Sequence, residues 1–459
     1  MRGQLTREIR LQIIVTKLRN NVNRYHIKIK EQANLLKEKD RIIRELELKL
    51  TDKESQRKEL LTYLYKPGKK DGESLPRGKK PGSPAYHRPK PKDEDVSQEW
   101  SYSIKRCPIC KHGVGSAVDT VIKYTEDIDL KPKTVITKHI ITRHWCSRCE
   151  TYVKSADIPP ISRIGLKATG YILYARYRLR LPMKRIKESL LDLYSLKISE
   201  GEIVNQLKEA KELFGKEYDA ITVMIQEAKV VYADETGWRM DGKNWYLWVF
   251  TTMNGTQYVI EDTRGGGVAR EALGKKEDRV IISDGYAAYQ NLPGDKQQCW
   301  IHLMRKAELC SPQLHEDLVL LYKKLLLELE KPLLQRNRKK FEDEFEILIM
   351  KKYAEPLAVK VQERMRRHKP FLFTCLDYDN VLPENNTAER AIRPQVIMRK
   401  IFGGTRSLGG TETHAVNTSV LDTLRKQNPD TNFFDVVLPL LKKRIEERHE
   451  KETGDYSEV

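Results

Sequence analysis

The chain has 459 residues, too many for one comfortable hydrophobic core, so two or three domains joined by linkers are expected. Its 84 Lys and Arg against 65 Asp and Glu give a formal charge of +19, a balance that favours a polyanionic partner, nucleic acid first, over a neutral metabolite. Four of the seven cysteines fall in two CxxC pairs and three (Cys299, Cys310, Cys375) are scattered, which argues against an extracellular disulfide framework, and the apolar run at 13–15 is too short for a signal segment or a membrane span.

Residues 1–66 alternate in charge and lack proline. Positions 15, 22, 29, 36, 43 and 50 are Val, Val, Ile, Leu, Ile and Leu, a heptad repeat that predicts an N-terminal coiled coil. The companion positions 18, 25, 32, 39 and 46 are only partly apolar, so the seam is imperfect; a dimer is expected, with a long helix packed on its own chain as the alternative. Residues 67–98, rich in Pro, Gly and Lys, read as a flexible basic linker. In 99–158, CPIC (107–110) and CSRC (146–149) are separated by 35 residues. Cys107, Cys110, Cys146 and Cys149 form a tetrathiolate set for structural Zn²⁺, with no coordination position left for chemistry. The apolar runs near 121–124 and 134–145 read as strands of a zinc-ribbon-like module. Residues 159–228 have helical period, and 182–190 with 199–207 resemble a helix-turn-helix in which the second helix opens on a Ser199/Glu202 capping box and residues 202–206 face DNA.

From 229 the texture changes to strands: KVVYAD (229–234), a turn at Asp241-Gly242, WYLWVFTT (245–252), QYVIED (257–262), a helical stretch at 268–273, RVIISD (279–284), a helix start at 285–289 and a strand at 297–300. The order βββαβαβ, with a right-handed crossover, allows the strand ending at Asp284 to lie parallel to the one carrying Asp234. The third acid is Glu389, in the helical stretch NNTAERAIR (385–393). Three hard carboxylates suit two Mg²⁺ or Mn²⁺ ions about 3.5–4 Å apart, the arrangement that activates a hydroxyl and stabilises the leaving oxygen at a phosphodiester. Glu235, Glu384 and Glu412 are rival acids; strand alternation points Glu235 to the opposite sheet face, and Glu384 follows Pro383 in a loop. His302 and Arg305, read at the end of the fifth strand, are placed to contact DNA, and Arg390, Arg393, Arg399, Lys400 and Arg406 form a basic collar around Glu389. Trp238 and Trp248 read as core. Residues 311–376, dense in Leu, Lys and Glu, read as a helical insertion that separates the second and third acids by 105 residues and braces Glu389, with Lys339, Lys340, Arg364, Arg366 and Arg367 as further phosphate contacts.

The segments YADETGW (232–238), WYLWVFTT (245–252), SDGYAAY (283–289), CWIHLMRKAE (299–308), NNTAERAIRP (385–394) and RKIFGGTRS (399–407) closely resemble the insertion sequence 66 family of DDE transposases, over roughly residues 100–445. The resemblance implies a multidomain α/β protein with an RNase-H-like mixed-sheet core, in two parts at 229–310 and 377–445 around the insertion, and a charged tail at 446–459. It implies a DDE triad at Asp234, Asp284 and Glu389, two Mg²⁺ or Mn²⁺ ions, and 3′-end cleavage with strand transfer of transposon ends. The expected partners are double-stranded DNA (transposon ends and target), further copies of the chain and accessory proteins of the same element, without a membrane, in a prokaryotic cytoplasm at the nucleoid. A DNA-binding regulator with an inert core and an RNase-H-like nuclease without strand transfer are the competing classes.

Overall fold

The computed structural model describes residues 159–454 continuously, and shorter stretches between 12 and 153, chiefly 29–45, 91–96, 134–148 and 151–153. The described parts of 12–45 are helical, and Val15, Val22, Ile29, Leu36 and Ile43 are each more than half exposed. Cys107, Cys110 and Cys149, the side chain of Cys146 and most of the 67–98 linker lie outside the described residues. The strand expected over 134–145 forms only at its end: β1 (His144–Cys146) pairs antiparallel with β2 (Thr151–Val153), Trp145 opposite Tyr152. The chain divides into two compact units. The smaller comprises 67–137 and 189–197; in it the Thr134 hydroxyl donates to the Tyr194 carbonyl at 2.6 Å.

The larger unit contains a five-stranded mixed sheet of β3 (Val230–Met240), β4 (Lys243–Thr251), β5 (Thr256–Glu261), β6 (Val280–Ser283) and β7 (Asp295–Gln298), in the order β5-β4-β3-β6-β7. β3, β4 and β5 form an antiparallel meander, while β6 and β7 run parallel to β3. The expected turn is present: Asp241 and Gly242 take φ of 49° and 75°, the left-handed pair of a tight hairpin that Asp-Gly adopts at low cost. Two expectations shift. The helix start at 285–289 is a single 3₁₀ turn (Ala287–Tyr289), and the last strand ends at Gln298, so Trp300 opens a helix instead of closing a strand.

Before the sheet come α1 (Leu166–Leu173), α2 (Met183–Tyr194), α3 (Glu200–Leu213) and α4 (Gly215–Glu227). Ser199 caps α3 by accepting from Glu202 N at 3.1 Å, as the sequence predicts. Gln206, however, is buried and accepts from Thr169 Oγ1 at 2.6 Å, so this member of the expected DNA-facing set is turned into the protein. After β5 comes α5 (Gly266–Leu273), and after β7 comes α6 (Trp300–Cys310). The insertion is mainly helical, with α7 (Pro312–Leu329), α8 (Arg338–Met350) and α9 (Ala358–His368). Leu314, Leu318, Leu325, Phe341, Phe345, Val361 and Met365 are buried around Trp300, whose indole N–H donates to Leu372 O at 2.7 Å. At about 1.5–3 kcal/mol for each fully buried large aliphatic or Phe side chain, this cluster holds α6 in place. The insertion therefore packs on α6. The segments on either side of α6 and the insertion meet, since Trp300 N donates to Pro383 O at 2.9 Å.

Two final helices lie against the sheet, α10 (Asn386–Phe402) across β3 and β4 and α11 (Leu408–Gln427) along β5, before α12 (Phe433–Gly454). β5 is an edge strand, and α11 closes it: Tyr258 N donates to Ser419 Oγ at 2.8 Å and Thr256 N to Thr423 Oγ1 at 3.0 Å. Two of the small hydroxyls on this buried helix face, Ser419 and Thr423, thus serve the sheet edge. α10 is fastened to β3 at both ends. At its start Asn385 Nδ2 donates to Ala233 O at 2.8 Å. At its end Gly403 takes the left-handed conformation, and Thr405 N donates to Arg239 O at 2.9 Å. Between them Gly404 has φ 99°, and a Cβ there would lie 2.1 Å from Arg239 O. Gly404→Ala should therefore destabilise the protein by about 3 kcal/mol, whereas Gly409→Ala, with no atom near a Cβ, should leave stability unchanged or slightly raised; denaturant midpoints of the two variants check this.

Candidate active site

β3 and β6 pair in parallel with Val230 opposite Val280 and Tyr232 opposite Ile282. Two residues further along that register Asp234 falls beside Asp284, at the carboxyl end of the paired segment, where ligands collect in open α/β sheets. Asp234 shares the sheet face of Tyr232 and Trp238, which packs into the main core. Its Oδ1 accepts from Glu235 N at 2.9 Å. Asp284, just past β6, accepts from Tyr286 N at 2.9 Å. Burial pushes the Asp234 carboxyl well above the ordinary range, and the charges of Glu235, Asp284 and Glu389 push it further, against the one backbone donor that lowers it. Asp284 and, more weakly, Glu389 thus lie near enough to act on Asp234, in one neighbourhood but not as a tight cluster of carboxylate oxygens.

Glu389 reaches the site from the first turn of α10, placed by the Asn385 clasp one residue before Asp234. It faces α6: His302 Nδ1 lies 3.7 Å from Glu389 Oε1, and Arg305 Nη1 4.0 Å from Oε2. His302 and Arg305 therefore sit on a helix, one turn inside its start, and not at a strand end as read from the sequence. Burial lowers the His302 pKa, opposed by Glu389 and Asp284, so its ring is largely neutral at neutral pH. The insertion reaches the same neighbourhood: Arg364 acts on both His302 and His368, and Asp284 acts on both histidines in the opposite sense. His368 is buried at the end of α9 and pushed down to about 4 by burial and the two arginines beside it.

The rival acids are occupied elsewhere. Glu235 is buried on the opposite face, where Arg264 donates to Oε1 at 2.6 Å and Tyr289 OH to Oε2 at 2.6 Å. Glu384 accepts from Tyr322 OH and from Asn386 Nδ2 in the loop before α10. Glu412, largely exposed on α11, pairs with Lys211 at 2.9 Å. In the basic collar Arg399 is structural, donating to Gly237 O and Thr236 Oγ1. Arg390, Arg393, Lys400 and Arg406 are exposed, as is Arg305. Trp238 and Trp248 are core, 1% and 0% exposed. Lys339 is held by Asp343 at 2.7 Å, and Arg366 leans on Ile349 O at 3.5 Å. Sequence reasoning passed over Asn385 and Cys299, although both stand in motifs it had singled out; what it lacked was the long-range contact that gives each a role.

The charges of Asp284 and, least of all, Glu389 act on Asp234, and Glu389 Oε1 is buried with no hydrogen-bond partner. An acid oxygen without a donor, near a buried carboxyl whose proton affinity is raised, is a place where a hard divalent cation can be satisfied. The metal-free protein should show the repulsion. Asp234 binds its proton more tightly folded than unfolded, so stability falls as pH rises from its ordinary value of 3.8 through the raised folded one, and the cost is complete above that. Asp234→Asn should accordingly raise the metal-free Tm at neutral pH and lose that advantage in acid, and Mn²⁺ should raise the Tm of the parent more than that of the variant. A variant less stable than the parent at neutral pH contradicts this.

Compared with known protein families, residues 162–413 match the model of the transposase IS66 family. No curated protein matches the chain. Among the described residues no helix is long and apolar enough to cross a membrane. The family match covers more than half of the chain and takes in the sheet, the helical insertion, α10 and the start of α11: the chain belongs to the IS66 family of transposases.

Proposed function

We propose that this transposase binds the terminal inverted repeats of its element and catalyses metal-dependent 3′-end cleavage followed by strand transfer into target DNA, on an RNase-H-like core. The observation that carries the reading is that Asp284 and Glu389, from the end of β6 and from α10, act on the buried Asp234 of β3, with Glu389 Oε1 lacking a hydrogen-bond partner. Asp234, Asp284 and Glu389 would hold Mg²⁺ or Mn²⁺. When bound, such ions supply an activated water or 3′-hydroxyl and neutralise charge at the leaving oxygen. The sheet order and strand directions, an antiparallel meander followed by two parallel strands, support the core assignment.

Around the acids the side chains divide by partner. Arg305, Arg390, Arg393, Lys400 and Arg406, exposed around α6 and α10, bind phosphates of the duplex. Arg399, donating to Gly237 O, holds α10 on β3. Arg364 adds a cation from the insertion. His302, neutral and beside Glu389, offers a hydrogen bond to the phosphate without adding charge. The exposed stripe Val15, Val22, Ile29, Leu36 and Ile43, each 51–63% exposed, supports assembly of two or more copies through a coiled coil. The four CxxC cysteines are assigned to structural Zn²⁺, and accessory proteins of the element and a nucleoid location complete the reading.

A joining assay on terminal-repeat duplexes with Mg²⁺ tests it. Asp234→Ala, Asp284→Ala and Glu389→Ala should each cut cleavage and joining on the order of 10³-fold or more, while Glu412→Ala stays near the parent. Nicking without joining would identify a nuclease, and DNA binding without cleavage a regulator. Arg393→Ala should weaken DNA binding at all sequences and lower the salt dependence of log K by about one contact, measured by titration across ionic strength.

A further inference from the structure

Next to the carboxylates lies a second donor set of different chemistry. Cys299 is the N-cap residue of α6 and His302 stands three residues on, so the two share a helix face. Glu389 meets them from α10. One donor atom from each, Sγ, a ring nitrogen and a carboxylate oxygen, lie within 4.8 Å of one another. His302 Nδ1 and Glu389 Oε1 are 3.7 Å apart, too far for a hydrogen bond, and both are buried with no partner. Unpartnered buried polar atoms are costly, and a cation held between two that face each other across such a gap would satisfy both.

The sulfur suits the role. Cys299 is 2% exposed at the floor of the cluster, while Glu389 and His302 are half-buried at its mouth, so an ion enters past the carboxylate and the imidazole. Burial pushes the Cys299 thiol up to about 11, helped by the Glu389 charge, so the free site holds a thiol; Asn385 N, donating to Sγ at 3.3 Å, and the N–H groups of His302 and Ile301 oppose that rise, and a bound cation would displace the proton. Thiolate, imidazole and carboxylate together form a four-coordinate zinc set with one position open. Mg²⁺, which prefers oxygen, gains nothing from the sulfur.

We propose that Cys299, His302 and Glu389 form a site for one zinc-class cation, Zn²⁺ or Cd²⁺, whose binding draws Glu389 away from Asp234 and Asp284 and so arrests catalysis. The thiol proton leaves to solvent as the ion binds. Arrest rests on the role given to Glu389 above; binding does not.

Metal analysis after equilibrium dialysis of the full chain against Zn²⁺ tests the site. The parent should hold one more equivalent than Cys299→Ser and one more than His302→Gln; the CxxC pairs contribute equally to all three. A Cd²⁺ difference spectrum, parent minus Cys299→Ser, should show thiolate-to-cadmium absorption. Equal stoichiometry in parent and both variants, with matching circular dichroism, overturns the site. In the joining assay, Zn²⁺ added to Mg²⁺ should inhibit the parent at lower concentration than Cys299→Ser. Equal inhibition overturns the arrest while the stoichiometry still decides the site. A parent inactive in Mg²⁺ alone counts against the transposase reading, and the dialysis result stands apart from it.

Discussion

The seating of α10 on β3 is the constraint on which the rest of this molecule depends. Glu389 and Asp234 are 155 residues apart in the chain, and nothing local brings them together. The join is made by backbone-directed contacts at both ends of one helix. Asn385 grips Ala233 O at the start; Gly404 slides over Arg239 O at the end, and Thr405 then pairs with the hairpin. Arg399 adds a third attachment at Gly237. Backbone partners do not swing between rotamers, so a helix tied in this way holds its first turn, and the carboxylate on it, in fixed relation to the sheet.

Neighbouring acids on β3 are treated in opposite ways. Glu235 is sunk into the far face and answered by an arginine and a tyrosine. Asp234 is left with a single backbone donor and the repulsion of its neighbours. Stability that could have been gained by pairing Asp234 is given up so that the carboxyl stays available, the pattern expected where function competes with folding. The compensation lies elsewhere, in the apolar cluster around Trp300 and in the hydroxyl seam between α11 and β5.

Much of this arrangement was legible in the sequence. Apolar runs ending in Asp, an Asp-Gly turn and a right-handed crossover give the first hairpin and the strand of Asp284 beside that of Asp234, because each rests on local chemistry or on a rule of handedness. The choice of Glu389 over Glu384 and Glu412 drew on the resemblance to a known family as well as on helical propensity. Less was readable where a tertiary contact overrides a local pattern. The QQCW run looks like strand to its end, yet Trp300 turns into α6 because its indole is claimed by the core of the insertion. Gln206 looks like a residue for DNA, yet Thr169 holds it inside. Asn385 is polar in a polar motif, and only the fold reveals that it is completely buried.

The chain leaves the sheet region at Trp300 and returns at Pro383, and those two residues are hydrogen-bonded to each other at 2.9 Å. Past α6, which carries His302 and Arg305, the helices α7 to α9 are an excursion whose flanks are held near that point. The entropy of closing such a loop grows only slowly with its length, so helices can be added or shed there at little cost to the geometry downstream. The excursion is therefore the natural place for size variation in this architecture, provided that whatever replaces it still offers α6 an apolar surface to lean on.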